Sequence, residues 1–352
     1  MTIAFYISGH GFGHASRQVE IVNAFAARQP GARILVRSTA ARWLLERTIT
    51  VPFELIADPA TDTGVVQIDS LHLDAGATIA RAREFYATLE ARADTEARLL
   101  RSRNVALVIS DAPPLACAAA ARAGIPSVVV SNFTWDWIYE AYSDHLASAP
   151  GLIETMQDAY RQATAAWRLP LHGGFETFAS DAVTDVPFVA RHSSRSPEET
   201  RDRLGLPFDQ RLVLPSFGGY GLHGLDLEAV DLPEGWVLVR GLRDAEVYEA
   251  GLSYQDLVRA VDVVVTKPGY GIVSECLANG TALVYTERGV FPEYDVFVRE
   301  MPKYVRCAYL DNVALLEGRW KTAIADAFDA ADPADPPRTD GADVVAAMIS
   351  SF

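Results

Sequence analysis

The sequence of 352 residues has little positive charge, few cysteines and no long apolar run. Lysine and arginine number 31 against 46 aspartates and glutamates, and the formal net charge of −15 argues against a nucleic-acid partner. The three cysteines are far apart and show no ligand spacing, so we expect reduced thiols. No stretch approaches the roughly 20 apolar residues that cross a bilayer. We therefore expect a cytoplasmic protein without stable membrane insertion.

What the sequence does have is an alternation of short apolar runs and longer helical patterns, among them helices predicted over 75–103 and 313–328. Continuous apolar runs are typical of parallel strands that are covered on both faces. The chain is also longer than one core usually supports. We predict an α/β protein of two Rossmann-like, doubly wound parallel-sheet domains facing across a cleft. The predicted domains are 1–192 and 205–335, and a C-terminal helix, 340–352, is expected to pack back on the first.

The first predicted strand runs directly into a turn that contains two histidines among alternating glycines. Gly11 and Gly13 let the backbone turn tightly and let a substrate approach closely, while His10 and His14 lie in the turn itself. Histidine is the side chain best suited to remove a proton from a hydroxyl near neutral pH. We predict a catalytic role for His14 in preference to His10. The alternative is that one or both histidines only cap the helix or bond to nearby backbone.

A second turn of the same kind follows an apolar strand in the second series. Its glycines precede a helix whose first N–H groups are free, and such an N-terminus is an anion site suited to a diphosphate. A glutamate one turn into that helix can accept hydrogen bonds from ribose hydroxyls. The residues predicted to bind this ligand are Lys267, Gly269, Tyr270, Gly271, Ser274 and Glu275. The alternative is an ordinary turn between a strand and a helix.

Further candidates come from other predicted strand ends. Gly218 and Gly219 form a glycine cluster that can approach the same phosphates, and Glu293 is placed to reach hydroxyls of the ligand. Asp111 ends a strand of the first series, where it orients a histidine or simply caps a helix.

Aromatic residues follow the next strand of the first series. Phe133 and Trp135 are suited to stacking on the acceptor side of the cleft, or they are core residues.

These motifs carry a resemblance to a known family. The runs GHGFGHASR, SDAPPLA, SNFTWDWIY, FGG and KPGYGIVSE occur in an order that resembles the glycosyltransferase-like N-terminal half of plant arabinokinases and its stand-alone bacterial relatives. The resemblance covers only the transferase-like half of those proteins, so it does not imply kinase activity. More distantly, the chain is similar to the GT-B transferases of the GT28 and GT1 type.

The resemblance implies an inverting, metal-independent transfer of a sugar from a nucleotide diphosphate, most simply UDP, to an acceptor hydroxyl. It places the catalytic histidine at His14 and the ribose-binding glutamate at Glu275. No two aspartates are separated by a single residue, as in the metal-binding pair of the other main class of sugar transferases. We therefore expect neither a metal nor a cofactor, with the nucleotide sugar as substrate. Two alternatives remain, a non-hydrolysing UDP-sugar epimerase and a non-catalytic nucleotide-sugar sensor.

Overall fold

A computed structural model describes residues 1–218, 221–240, 242 and 244–352. The strands in these ranges are β1 (Thr2–Ile7), β2 (Arg33–Arg37), β3 (Phe53–Ile56), β4 (Val66–Gln67), β5 (Leu73–Asp74), β6 (Val105–Asp111), β7 (Ser127–Phe133), β8 (Ala165–Gly173), β9 (Val183–Asp185), β10 (Arg211–Pro215), β11 (Trp236–Leu238), β12 (Val263–Thr266), β13 (Ala282–Tyr285) and β14 (Cys307–Tyr309).

The helices in the same ranges are α1 (Phe12–Arg28), α2 (Arg42–Thr48), α3 (Ala75–Tyr86), α4 (Leu89–Ser102), α5 (Pro114–Ala123), α6 (Trp135–Glu140), α7 (Ser143–Leu146), α8 (Leu152–Tyr160), α9 (Pro197–Leu204), α10 (Asp244–Glu249), α11 (Tyr254–Ala260), α12 (Tyr270–Asn279), α13 (Glu293–Glu300), α14 (Asn312–Leu316), α15 (Lys321–Asp329) and α16 (Gly341–Ser350). Among the described residues, no helix combines the length and the apolar character that crossing a membrane requires.

The first sheet is parallel throughout, with the strand order β3-β2-β1-β6-β7-β8-β9 in the described part of the chain. Its central strands β1 and β7 are buried along their whole length, as expected of parallel strands that are covered on both faces. The order of strands reverses between β1 and β6. The carboxyl ends of these two strands therefore border the crevice in which doubly wound sheets bind ligands.

The second sheet repeats this plan with the strand order β11-β10-β12-β13-β14, again parallel wherever the structure describes it. Its order reverses between β10 and β12. The turn after β12 is the one predicted to bind a diphosphate, so both predicted motifs lie at reversal points of their sheets. The two sheets confirm the predicted fold class.

The C-terminal helix α16 returns to the first sheet. It packs against α1, and its Val345 and Ile349 lie in the same apolar core as Ile3. A bridge between Val189 and Asp340 joins the two chain segments that connect the sheets. The division into domains stays a prediction, and these contacts are compatible with it.

Two predicted helices are wrong in their extent. The segment 75–103 forms α3 and α4, which are separated by a turn in which the N–H of Thr88 donates to the carbonyl oxygen of Phe85 at 3.2 Å. The segment 313–328 divides into α14 and α15 around Gly318, whose φ of 73° ends the first of them. The strands β8, β9 and β14 were not predicted. β9 and β14 have three residues each, too few to form a pattern, and β8 contains Arg168 and Pro170, which interrupt its apolar sequence.

Candidate active site

A cavity of about 490 Å³ lies between the two sheets and is lined by residues of both. The first half contributes the turn before α1 and the second contributes the turns after β10 and β12. The predicted residues His10, Gly11, Gly13, His14 and Phe133 line it from the first half. Those that line it from the second half are Gly218, Lys267, Gly269, Tyr270, Gly271, Glu275 and Glu293. Gly219 lies outside the described residues.

The helices α1 and α12 meet end to end at this cavity. A Cβ atom added to Gly271 would lie 3.0 Å from the Cα of Gly13, so the close approach of the two backbones favours glycine at this contact. Each helix N-terminus carries unpaired N–H groups and the positive end of the helix dipole. Their convergence makes this end of the cavity favourable for an anion.

His14 and Asp111 form a buried pair. Of the two roles considered for Asp111, this contact fits the one in which it orients a histidine. The Nδ1 atom of His14 lies 2.8 Å from Oδ2 of Asp111. Burial acts to raise the pKa of Asp111, but the charges of Arg17 and His14 outweigh it and hold that pKa below its usual value. Asp111 is therefore an ionised acceptor beside Nδ1 of His14, and Nε2 is the ring nitrogen that these contacts do not engage.

Arg17 completes the cluster of His14 and Asp111, although no role was predicted for it from the sequence. Its Nε donates to Oδ1 of Asp111 at 2.8 Å, and its Nη2 donates to the same oxygen. Its Nη1 donates to Oδ1 of Asn132 at 2.5 Å, and its guanidinium carbon lies 5.2 Å from the ring centroid of Tyr270. The spacing of three residues from His14 along α1 was the available signal, because such residues share one helix face.

His10 lies between His14 and Trp135. Its ring centroid is 6.3 Å from that of His14 and 5.5 Å from that of Trp135. Burial and the neighbouring charges of His14 and Arg288 hold the pKa of His10 well below its usual value. His10 is therefore neutral at physiological pH.

The aromatic side chains Phe133 and Trp135 are both buried, with ring centroids 5.0 Å apart. The indole Nε1 of Trp135 donates to Oδ2 of Asp62 at 2.9 Å. Burial raises the pKa of Asp62. Only Phe133 of the aromatic pair borders the cavity, and Trp135 lies behind His10 and His14.

The opposite wall of the cavity is cationic. Lys267 follows β12, and burial together with the neighbouring charge of Arg288 lowers the pKa of Lys267 to about 7. Arg288 lies in the turn after β13, and its Nη1 donates to Oε2 of Glu293 at 2.5 Å. Arg288 was not predicted as a site residue, because only the fold brings it beside Lys267.

Glu275 lies in α12, where the sequence predicted a ribose ligand, and it is held by an arginine from another element. Its Oε1 accepts from Nε and Nη2 of Arg191 at 2.8 Å and 2.5 Å, and both side chains are buried. Burial raises the pKa of Glu20 to about 7, with Arg191 and Glu275 as its charged neighbours. Arg191 was missed because it belongs to the segment between the two series.

Glu293 connects the two halves of the molecule. Its Oε1 accepts from Nδ2 of Asn132 at 2.7 Å, and its Oε2 accepts from Arg288. Because Oδ1 of Asn132 also accepts a hydrogen bond from Arg17, a chain of polar contacts runs from His14 and Asp111 to Arg288.

The remaining predicted donor-binding residues support the backbone at α12. The hydroxyl of Tyr270 accepts from the N–H of Val189 at 2.9 Å, and the hydroxyl of Ser274 donates to the carbonyl oxygen of Gly271 at 2.9 Å.

One loop of the first half reaches the second, and we call residues 61–74 the crossing loop. Near its start, the carbonyl oxygen of Gly64 accepts from the hydroxyl of Tyr139 at 2.6 Å. Near its tip, the N–H of Ser70 donates to Gly221 at 3.1 Å, and Leu71 is buried in the apolar core of the second sheet. In return, Phe291 of the second half packs in the core around Phe133. Contacts thus cross the cavity rim in both directions.

No family model matches the chain. The sequence is 34% identical over 337 residues to the L-arabinokinase of Arabidopsis thaliana, a match that covers 91% of this chain and 31% of that protein. The chain thus spans about a third of the length of that curated relative.

Two solved structures show the fold. The glycosyltransferase SsfS6 of Streptomyces sp. SF2575, complexed with thymidine diphosphate, matches with a TM-score of 0.59 at 16% identity and covers 100% of each chain. UGT2 of Phytolacca americana, complexed with UDP-2-fluoro-glucose and pterostilbene, matches with a TM-score of 0.56 at 13% identity and covers 99% of each chain. The chain has the GT-B glycosyltransferase fold and is related, over nearly all of its length, to about a third of a plant L-arabinokinase.

Proposed function

We propose that this chain is a glycosyltransferase that moves a sugar from a nucleoside diphosphate, most simply UDP, to an acceptor hydroxyl. The observation that carries the proposal is the placement of the His14–Asp111 dyad across one cavity from Lys267 and Arg288. A proton acceptor and a diphosphate site are the two parts that such a transfer requires. His14 and Lys267 follow β1 and β12, each of which borders the reversal point of its own sheet.

The proposed reaction is a direct displacement. Nε2 of His14 accepts the proton of the acceptor hydroxyl, whose oxygen forms a bond to the anomeric carbon. The bond from that carbon to the diphosphate oxygen breaks, and the diphosphate leaves with the bonding electron pair. Asp111 stabilises the imidazolium that forms, and the proton is later released to water. A single displacement of this kind inverts the anomeric configuration.

The leaving group is stabilised by the second half of the molecule. Lys267 and Arg288 supply positive charge, and the first N–H groups of α12 supply hydrogen bonds to the diphosphate. We assign no metal to this step. Glu275 is the proposed ribose ligand, and Arg191 orients its carboxylate. Glu293, between Asn132 and Arg288, is the proposed ligand of the donor sugar.

The cavity is proposed to lie between two domains, 1–192 with the returning helix 340–352, and 205–335. His10, Phe133 and Trp135 are then on the acceptor side. Closure of the two domains around the donor would exclude water and limit donor hydrolysis. The two glutamates at the donor end belong to the second domain, whereas the histidine dyad belongs to the first.

Calorimetric titration with UDP, dTDP and GDP and with their common sugars, each with and without EDTA, tests the donor site. We expect binding of one nucleotide class, unchanged by EDTA and weakened in Glu275→Gln. The same donor is then incubated with simple sugars and polyols, and release of the free nucleoside diphosphate is followed.

Release that depends on the added acceptor supports transfer. Conversion of the sugar without any acceptor would instead establish an epimerase, and binding without turnover under any condition would leave a sensor. Binding of no nucleotide would contradict the proposal at its first step.

A further inference from the structure

Nη2 of Arg17 faces more acceptors than it has hydrogens to give. Its three neighbours are Oδ1 of Asp111, Oγ of Ser131 at 2.9 Å and Nδ1 of His14 at 3.0 Å. A terminal guanidinium nitrogen carries two hydrogens. One is directed at Asp111, on the side where Nε also donates. Ser131 and His14 therefore compete for the other.

Together with the negative charge of Asp111, this competition sets the tautomer of neutral His14. If Nδ1 carries a hydrogen, it donates to Oδ2 of Asp111 at 2.8 Å, and Nε2 is left as a free base. If Nδ1 is bare, it accepts from Arg17, and Nε2 carries the hydrogen instead. Only the first tautomer can remove a proton from an acceptor.

We propose that Ser131 and Arg17 are positioning residues that hold His14 in the tautomer with Nε2 unprotonated. The Oγ atom of Ser131 takes the second hydrogen of Nη2, so Arg17 has none left for Nδ1 of His14. Arg17 in turn keeps Asp111 as the acceptor for the hydrogen on Nδ1. The consequence for turnover rests on the proposed transfer reaction, whereas the tautomer itself does not.

The guanidinium is held in place from several sides, so that it cannot easily turn away from Ser131. Its Nη1 bonds to Asn132, whose side chain also donates to Glu293, and its face lies on the ring of Tyr270. The side chain of Arg17 is only 3% exposed.

The charged and titratable groups around His14 come from four elements. Asp111 ends β6, and Arg17 belongs to α1 with His14 itself. Asp62 comes from the crossing loop, and its carboxylate interacts electrostatically with His14. His10 lies in the turn before α1 and is neutral, as its lowered pKa requires. Asp111 is the carboxylate bonded to the ring of His14.

The test is nuclear magnetic resonance of the ring nitrogens of ¹⁵N-histidine-labelled protein, with His14→Asn used to assign the signal. We expect wild-type His14 to show a protonated Nδ1 and a bare Nε2 in its neutral form. In Ser131→Ala, one hydrogen of Arg17 becomes available to Nδ1. The ratio of the two tautomers should then move toward the Nε2-protonated form by about twofold to tenfold, the effect of one hydrogen bond.

Matched variants separate this effect from general damage. Ser131→Thr keeps a hydroxyl and should restore the wild-type tautomer. Ser127→Ala removes a buried hydroxyl from the opposite end of β7 and should leave His14 unchanged. If Ser131→Ala does not fold, Ser131→Cys removes the strong acceptor at similar volume and should give the same shift.

A second variant tests the arginine. Arg17→Met removes the N–H group that competes for Nδ1 of His14, so Ser131→Ala in this background should leave the tautomer of His14 unchanged. An unchanged tautomer in Ser131→Ala and Ser131→Cys would overturn the role of Ser131. If Ser131→Ala shifts the tautomer equally with Arg17 present and in the Arg17→Met background, the role of Arg17 is overturned. If the tautomer behaves as predicted but no nucleotide sugar binds, the proposed function fails and this inference stands.

Discussion

The two glycine-bearing turns that meet at the cavity have the same backbone arrangement but differ in how their charged side chains are paired. Each follows a buried strand, begins a helix and contacts the other through Gly13 and Gly271. In the first turn, His14 and Arg17 share Asp111. In the second, burial lowers the pKa of Lys267 to about 7, and the charge of Arg288 from the turn after β13 adds to this effect.

This difference shows how one fold provides two functions from a repeated unit. A network whose charges are already paired is pre-organised for proton transfer, because the groups need not move when the reaction occurs. A buried lysine whose pKa is lowered gains its full positive charge only when an anion binds beside it. The first turn is therefore the proposed catalytic end, and the second is the proposed donor end.

The largest expected effect comes from removing the base. His14→Asn should lower turnover by about 10²-fold to 10⁴-fold, the usual contribution of a general base. Binding of the nucleotide sugar should change little, because the donor end is intact. Steady-state rates and calorimetry on the same preparation measure the two quantities.

His192→Asn is the matched control for this variant, since His192 is exposed and bonds to Thr339. Unchanged turnover in His14→Asn would remove the catalytic assignment.

Removing the charge of Lys267 should weaken binding of the nucleotide sugar and leave His14 unaffected. Lys267→Met should weaken binding of the nucleotide sugar by about tenfold to a hundredfold, since a hydrogen bond to a charged group contributes about 1.5–3 kcal/mol. The tautomer of His14 should be unaffected. Calorimetric titration measures the affinity, and Lys321→Met, on a helix start far along the chain, is the control. Equal affinity in both variants would place the diphosphate elsewhere.

Separating the two helix ends should weaken both the fold and the donor site. Gly271→Ala places a methyl group 3.0 Å from the Cα of Gly13, and such overpacking typically costs about 1–3 kcal/mol. Chemical denaturation measures the loss in the free energy of unfolding. Gly31→Ala is the control, because a Cβ there would meet nothing within 4 Å. Equal stability of the two variants would show that the contact tolerates a side chain.

The smallest effect is a dependence of donor affinity on pH. An anion beside Lys267 raises its pKa above the value of about 7 in the free protein, so binding takes up a proton at pH 8. Affinity for a nucleotide sugar should be constant below pH 7 and fall as the pH rises, by at most about tenfold per unit.

Glu20 also titrates near pH 7, so Lys267→Met is needed to separate the two groups. The loss of affinity should disappear in that variant. Its persistence there would assign the pH dependence to Glu20 and its neighbours Arg191 and Glu275.

The sequence was sufficient to predict the fold class and the turns that bear His14 and Lys267. Glycines after buried apolar strands are strong local signals, and parallel topology places strand ends at one edge. The partners of these residues were not predictable in the same way. Only the tertiary fold brings Arg191 to Glu275, and only the tertiary fold brings Arg288 beside Lys267.

The roles of Ser131 and Asn132 illustrate the limit more closely. Both belong to the motif SNFTWDWIY, of which only the aromatic residues were predicted to have a role. A serine and an asparagine at a strand end carry no signal of their own, because their importance depends on Arg17 reaching them from α1. The crossing loop was missed for a similar reason, since its irregular segment contains only the two-residue strands β4 and β5.

The most direct test of the account is a crystal structure with a bound nucleotide sugar of the class selected by calorimetry. We predict the diphosphate at the start of α12, beside Lys267 and Arg288, with the ribose at Glu275. The anomeric carbon should then face Nε2 of His14 across the cavity. A nucleotide bound outside this cavity, or bound with its sugar directed away from His14, would contradict the proposed transfer.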